Sequence, residues 1–127
     1  VFMTHGGGSW LHGIVSINKK HEDDGRKAID AAFAGHASMK HVWIVDSDID
    51  ITNPHAVEWA MATRFQGDKG LVVKTGVKGS SLDPSSNPET RETVKVGFDC
   101  TIPLDRDKKD FIKPEPAMKV KLEDYLD

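Results

Sequence analysis

The sequence predicts an α/β domain of three layers, built on a mainly parallel sheet and closed by a C-terminal helix. Three observations carry that expectation. Candidate elements follow one another in the order β-α-β-α-β, the pattern of a sheet covered by helices. His41–Asp46 (HVWIVD) is apolar almost throughout, as a strand covered on both faces should be. The length of 127 residues suits one domain spanning 1–127 and leaves no room for separate cofactor and substrate modules.

The elements follow in chain order. Leu11–Asn18 (LHGIVSIN) reads as a strand, rich in Ile and Val and preceded by the breaker Gly6-Gly7-Gly8. Glu22–Gly35 reads as a helix. Ala28, Ile29, Ala32 and Phe33 recur at helical spacing, acidic residues crowd the first turn, and Gly35 suits a C′ stop. After the central strand, Asn53 can cap a second helix and Pro54 suits its first position, where a missing N–H costs nothing. Val57, Ala60, Met61 and Phe65 form one apolar stripe of that helix, and Gly67 ends it. Gly70–Thr75 (GLVVKT) is a third short strand. Gly76–Glu92 then turns polar, with Gly, Ser, Asn and Pro throughout, as expected of a functional loop or a disordered one. Thr93–Pro103 has weak strand character, and Asp105–Glu115 is charged and irregular, with at most a short turn. Pro116–Leu126 can form a terminal helix with Met118, Leu122 and Leu126 on one side.

Composition excludes several classes. Seventeen Lys and Arg against twenty Asp and Glu give a formal charge of −3, with no basic block, so no nucleic-acid partner is expected. No apolar run approaches the ~18 residues of a membrane span. The single cysteine, Cys100, cannot form an internal disulfide. No basic-then-apolar leader is visible, so a cytoplasmic location is expected. Cys100 follows Asp99, whose charge disfavours a thiolate, and an inert buried thiol is expected. The chain starts at Val1, and we read it as a segment cut from a longer protein or trimmed at its start.

Few constellations carry chemistry. Asp46, Asp48 and Asp50 alternate as hard-cation ligands do. An EF-hand loop from Asp46 would place Gly and Glu where Ile51 and Val57 stand. The competing reading is a solvated acidic turn before a helix N-terminus. His5-Gly6-Gly7-Gly8 looks like an esterase oxyanion loop, but no G-x-S-x-G nucleophile elbow exists to use it. Gly76–Ser81 (GVKGSS) lacks the spacing and the Lys of a phosphate-binding loop. The six histidines are scattered, without zinc spacing, so no metal ligands are assigned.

Several segments together resemble one family. Lys40–Asp50 (KHVWIVDSDID) resembles the K-x-V-x-V-V-D-x-D-I-D stretch of UbiD-type decarboxylases, the 3-polyprenyl-4-hydroxybenzoate carboxy-lyase-like enzymes. Pro54–Arg64 (PHAVEWAMATR) resembles the helix that follows it there. Gly79–Pro84 (GSSLDP) resembles their G-x-x-L-D-P loop. Lys95–Thr101 (KVGFDCT) resembles K-x-G-x-D-A-T, with Cys100 in place of the usual Ala. The matches run in family order, and each is weak alone.

The resemblance is to the C-terminal domain of that family, and it implies the following. The parent is a carboxy-lyase that reversibly decarboxylates aromatic or α,β-unsaturated acids. Its central split-barrel domain binds prenylated FMN with a divalent metal and holds the catalytic residues, so no catalytic residue is expected in this chain. The flavin carries the covalent chemistry and the protein orients it. The C-terminal domain closes over the flavin site and contributes to the interface of a homo-oligomer. Ser38, Ser80 and Leu82 match substrate-lining positions, and both segments flank strand ends, where ligands gather in α/β sheets. Some relatives place a lysine near the flavin phosphate. The aligned position here falls near Ala34, which leaves His36 and Lys40 as nearby candidates. The acidic turn Asp46–Asp50 becomes a structural feature or a contact to the missing domain. The chain alone is then expected to be inactive and to hold no cofactor. A second reading is a free-standing assembly module that docks on a separately encoded flavin-binding subunit. A third is a small independent enzyme using the acidic turn and a divalent ion, with Asp48 essential.

Overall fold

The computed structural model describes residues 1–112. The terminal helix expected over Pro116–Leu126 lies outside them. Five strands form one sheet: β1 (Phe2–Met3), β2 (His12–Ile17), β3 (His41–Asp46), β4 (Leu71–Lys78) and β5 (Glu92–Cys100), in the order β1-β2-β3-β5-β4. The core pairs β2·β3 and β3·β5 are parallel, and β1 and β4 lie antiparallel at the two edges. Helices α1 (Asp24–Gly35) and α2 (Pro54–Arg64) take opposite faces, with a single turn α3 (Gly67–Gly70) before β4. A 3-10 turn at Lys108–Phe111 follows β5. The α/β class and the three layers therefore agree with the sequence.

The central strand divides its side chains between two cores, because successive residues of a strand point to opposite faces. Val42 and Ile44 meet Ile29 and Ala32 of α1, together with Met39 and Val72. Val45 meets Val57 and Ala60 of α2, with Ile14 and Cys100. Val42, Ile44, Val45, Met39 and Cys100 are fully buried, which is why His41–Asp46 is apolar almost without interruption.

Local chemistry sets the helix ends. Asp24 Oδ2 accepts the N–H groups of Lys20 and His21, so this carboxylate closes a turn ahead of α1, which starts two residues later than expected. Gly35 is the last helical residue and not a left-handed stop; His36, in an extended conformation, ends the helix. Asn53 Oδ1 accepts the His55 N–H at 3.0 Å, and Pro54 opens α2 as expected. Helix α2 closes at Arg64, before Gly67, which instead begins α3.

Two strand assignments shift. Gly76 does not end β4: with φ of 63° it makes a bulge between Lys74 and Val77, and the strand continues to Lys78. The polar loop is therefore 79–91, shorter than expected. The weak segment Thr93–Pro103 contains β5, the parallel neighbour of β3, whereas β4 lies at the edge. The β4–β5 connection is a hairpin, which only antiparallel strands can make. The triple-glycine stretch also joins antiparallel strands, β1 and β2. Its Gly7 and Gly8 N–H groups donate to Thr4 and His5 carbonyls, so they are not turned outward to an oxyanion. No helix among the described residues is long and apolar enough to cross a membrane.

Candidate functional site

The substrate-lining candidates lie at the amino ends of β3 and β5. Ser38 and Lys40 sit in the segment that leads from α1 into β3, and loop 79–91 leads from β4 into β5. The usual ligand end of a parallel sheet is the opposite, carboxyl end. Ser38, Ser80 and Leu82 therefore lie away from the sheet end where ligands gather in α/β folds.

The two segments are nevertheless fastened together. Lys40 Nζ lies 2.9 Å from Asp83 Oδ2 and donates to Ser85 Oγ at 2.6 Å. The ammonium approaches Oδ2 off the hydrogen-bonding direction, so that contact is an ion pair. Lys95, on β5, donates to the Ala37 carbonyl at 2.7 Å. Asp83 is only 4% exposed. Its carboxyl is held down to about 2, first by the Ser85 hydroxyl and then, against its desolvation, by Lys40 and the Ser85 N–H.

Loop 79–91 is ordered by its own polar groups. Ser80, itself buried, accepts the Leu82 N–H on its hydroxyl at 3.1 Å. Asp83 Oδ1 accepts both the Ser85 N–H and the Ser85 hydroxyl, and Ser86 donates to the Asp83 carbonyl. This frame holds Leu82 at the surface, 53% exposed. Ser38 is half-buried and His36 exposed. Of the two candidates for a flavin phosphate contact, Lys40 is therefore already paired within the chain. Ser38, Ser80 and Leu82 line neither the apolar cleft of about 760 Å³ beside β1, β2 and α2 nor the smaller one of about 190 Å³ at the carboxyl end.

The carboxyl end is built around Arg64. Its guanidinium donates to Asp46 Oδ2 at 3.0 Å and forks onto Asp48 at 2.8 and 2.9 Å. Asp46 Oδ2 also accepts the Ile102 N–H at 3.0 Å. The hydrogen bonds from Arg64 hold Asp48 below the usual carboxylate range against its partial burial. The third acidic residue, Asp50, accepts the N–H and hydroxyl of Thr52. The acidic turn is thus a binding site for an internal arginine. Among the described residues no group of three His, Cys, Asp or Glu side chains is placed to hold a metal ion. The donor set, already engaged by Arg64 and Thr52, does not fit a divalent metal.

Sequence reasoning named no role for Arg64, Asp83 or Lys95. Each stood inside a quoted motif, at the end of A-T-R, within L-D-P and at the start of K-x-G-x-D, and those motifs were the available signal. The pairing of His12 with His41 carried no sequence signal. Their ring nitrogens lie 3.0 Å apart across β2 and β3.

Residues 1–100 match the family model of the 3-octaprenyl-4-hydroxybenzoate carboxy-lyase C-terminal domain. The chain belongs to the UbiD C-terminal domain family. It is 51% identical over 111 residues to the anhydromevalonate phosphate decarboxylase of Methanocaldococcus jannaschii, a match spanning 87% of this chain and 26% of the relative. It is 36% identical over 131 residues to the gallate decarboxylase of Lactiplantibacillus plantarum, across 94% of this chain and 26% of that one. The UbiD-class enzyme HmfF from Pelotomaculum thermopropionicum, solved with FMN, superposes with a TM-score of 0.81 at 41% identity, over 98% of this chain and 28% of HmfF. An evolved dimeric form of HmfF, solved with prFMN, gives a TM-score of 0.67 at 37% identity, over 98% of this chain and 25% of that one. The chain spans about a quarter of the length of the curated relatives it matches.

Proposed function

We propose that this chain works as the C-terminal domain of a decarboxylase that acts on anhydromevalonate phosphate or a closely similar unsaturated acid. One observation carries the reading: 51% identity to the decarboxylase of that substrate, against 36% to the gallate enzyme. In the parent, prenylated FMN and its metal would sit in the part outside this chain. The flavin would supply the covalent chemistry. This chain would offer Ser38, Ser80 and Leu82 to the substrate and part of the surface of a homo-oligomer. Leu82, half-exposed at the tip of an ordered loop, suits a surface that becomes a pocket only when a second one closes on it.

The test uses the intact parent loaded with prenylated FMN. Carbon dioxide release from anhydromevalonate phosphate should exceed that from gallate by at least about tenfold in kcat/KM. A preference for gallate would overturn the substrate, and release by this chain alone would overturn its role as a partial site.

A further inference from the structure

We propose that Lys40 is a positioning residue, which fastens the loop carrying Ser80 and Leu82 to the segment carrying Ser38 and so fixes the substrate-facing surface. The proposal rests on the function proposed above, which makes those three residues substrate-lining.

The base of the tether is rigid. The Lys40 N–H donates to the Leu11 carbonyl at 2.7 Å, and its own carbonyl accepts the Val96 N–H at 3.0 Å. The residue is thus sewn between β5 and Leu11, just ahead of β2, while its side chain crosses to the loop. Upstream, Met39 is fully buried in the α1 core and Lys95 holds the Ala37 carbonyl. Ser38 therefore has fixed neighbours on either side.

The far end is equally specific. Asp83 is buried, and a buried carboxylate without a counter-charge is costly. The Lys40 ammonium supplies that charge and also donates to Ser85. Asp83 and Ser85 belong to the hydrogen-bonded frame that includes Ser80 and Leu82, because the Asp83 N–H donates to the Ser80 carbonyl at 3.1 Å. Holding Asp83 therefore holds Ser80 and Leu82. Without the ammonium, the Asp83 carboxylate gains by turning to water, and the frame turns with it. Where Ser38, Ser80 and Leu82 bind the substrate equally in its ground and transition states, misplacing them raises KM and leaves kcat unchanged.

The experiment compares the flavin-loaded parent with Lys40→Met, Lys40→Arg and Asp83→Asn. Methionine keeps the apolar stem and removes the charge. Lys40→Met should speed amide exchange in 80–86 by about tenfold, leaving β3 unchanged. KM for anhydromevalonate phosphate should rise by at least about fivefold with kcat within about twofold. Asp83→Asn should do the same, and Lys40→Arg should restore most of the wild-type KM. Unchanged exchange in the loop overturns the tether. Faster exchange with unchanged KM, or a fall in kcat at constant KM, overturns the positioning role. A wild-type parent that decarboxylates neither anhydromevalonate phosphate nor gallate defeats the underlying reading first, and the positioning role falls with it.

Discussion

Arg64 Nη1 lies 3.0 Å from Asp46 Oδ2 and joins the last residue of α2 to the last residue of β3. The arginine side chain is 1% exposed, so it has left water entirely. The same guanidinium forks onto Asp48, and the same carboxylate accepts the Ile102 N–H. One side chain thus ties the acidic turn, the second helix and the chain after β5 together.

Arg64→Met should therefore be strongly destabilising. It leaves Asp46, 8% exposed, without its counter-charge. Breaking a buried pair from one side costs roughly 3–5 kcal/mol. Arg64→Lys should lose less, since it keeps the charge but not the planar fork. Denaturation midpoints of the two variants check the ranking. Equal midpoints for methionine and wild type would mean that the pair contributes nothing.

The fold was legible where local chemistry decides it. The apolar run of β3 and the Asn53–Pro54 start of α2 stand in the structure as the sequence indicates. The far half of the sheet, β5 and β4, was less legible. Strand β5 reads as weak because Lys95, Gly97 and Asp99 interrupt it, and each owes its place to a distant group. Lys95 reaches Ala37, Gly97 admits Ile29, and Asp99 lies against Gly25 at the start of α1. Pairing alone also decided that β4 passes through a bulge instead of stopping at Gly76. At the site, resemblance pointed to Ser38, Ser80 and Leu82. The Lys40–Asp83 link lies outside what spacing shows, because the hairpin between β4 and β5 folds the loop back onto the start of β3.

Gly97→Ala should destabilise the domain. An added Cβ would run into the Ile29 side chain, which is fully buried in the α1 core. Overpacking of this kind costs about 1–3 kcal/mol. Gly35→Ala is the matched control: nothing lies within 4 Å of its Cβ position, and Gly35 is helical. That change should be neutral or stabilise by up to about 1 kcal/mol. Thermal melts should show a lower midpoint for Gly97→Ala and an equal or higher one for Gly35→Ala.

Cys100 should resist alkylation. It is fully buried between β3 and α2. Burial first, then Asp99 and Asp46, push its thiol up to about 12. At pH 8 the thiolate is scarce and inaccessible, and it is the thiolate that reacts. Iodoacetamide should label Cys100 only at the rate of unfolding, and denaturant should make labelling complete. Rapid labelling of the native protein would contradict the burial.

The pair His12–His41 should make stability fall as the solution becomes acidic. The ring nitrogens are 3.0 Å apart, so one donates and the other accepts, and two imidazolium rings would turn N–H toward N–H. Burial is the largest cause lowering both rings from 6.5; Lys40 adds to it at both, the pairing adds to it at His41, and Asp83 partly opposes it there. Each folded value therefore lies below the unfolded one, and the unfolded chain takes up protons first. The contribution is fully present above pH 6.5 and is lost as pH falls through the lowered folded values. His41→Gln should flatten the stability profile on the acid side of 6.5 while changing stability at pH 8 far less. Chemical denaturation of wild type and variant at a series of pH values from 8 downward measures it, and parallel profiles would mean that the pair does not titrate with folding.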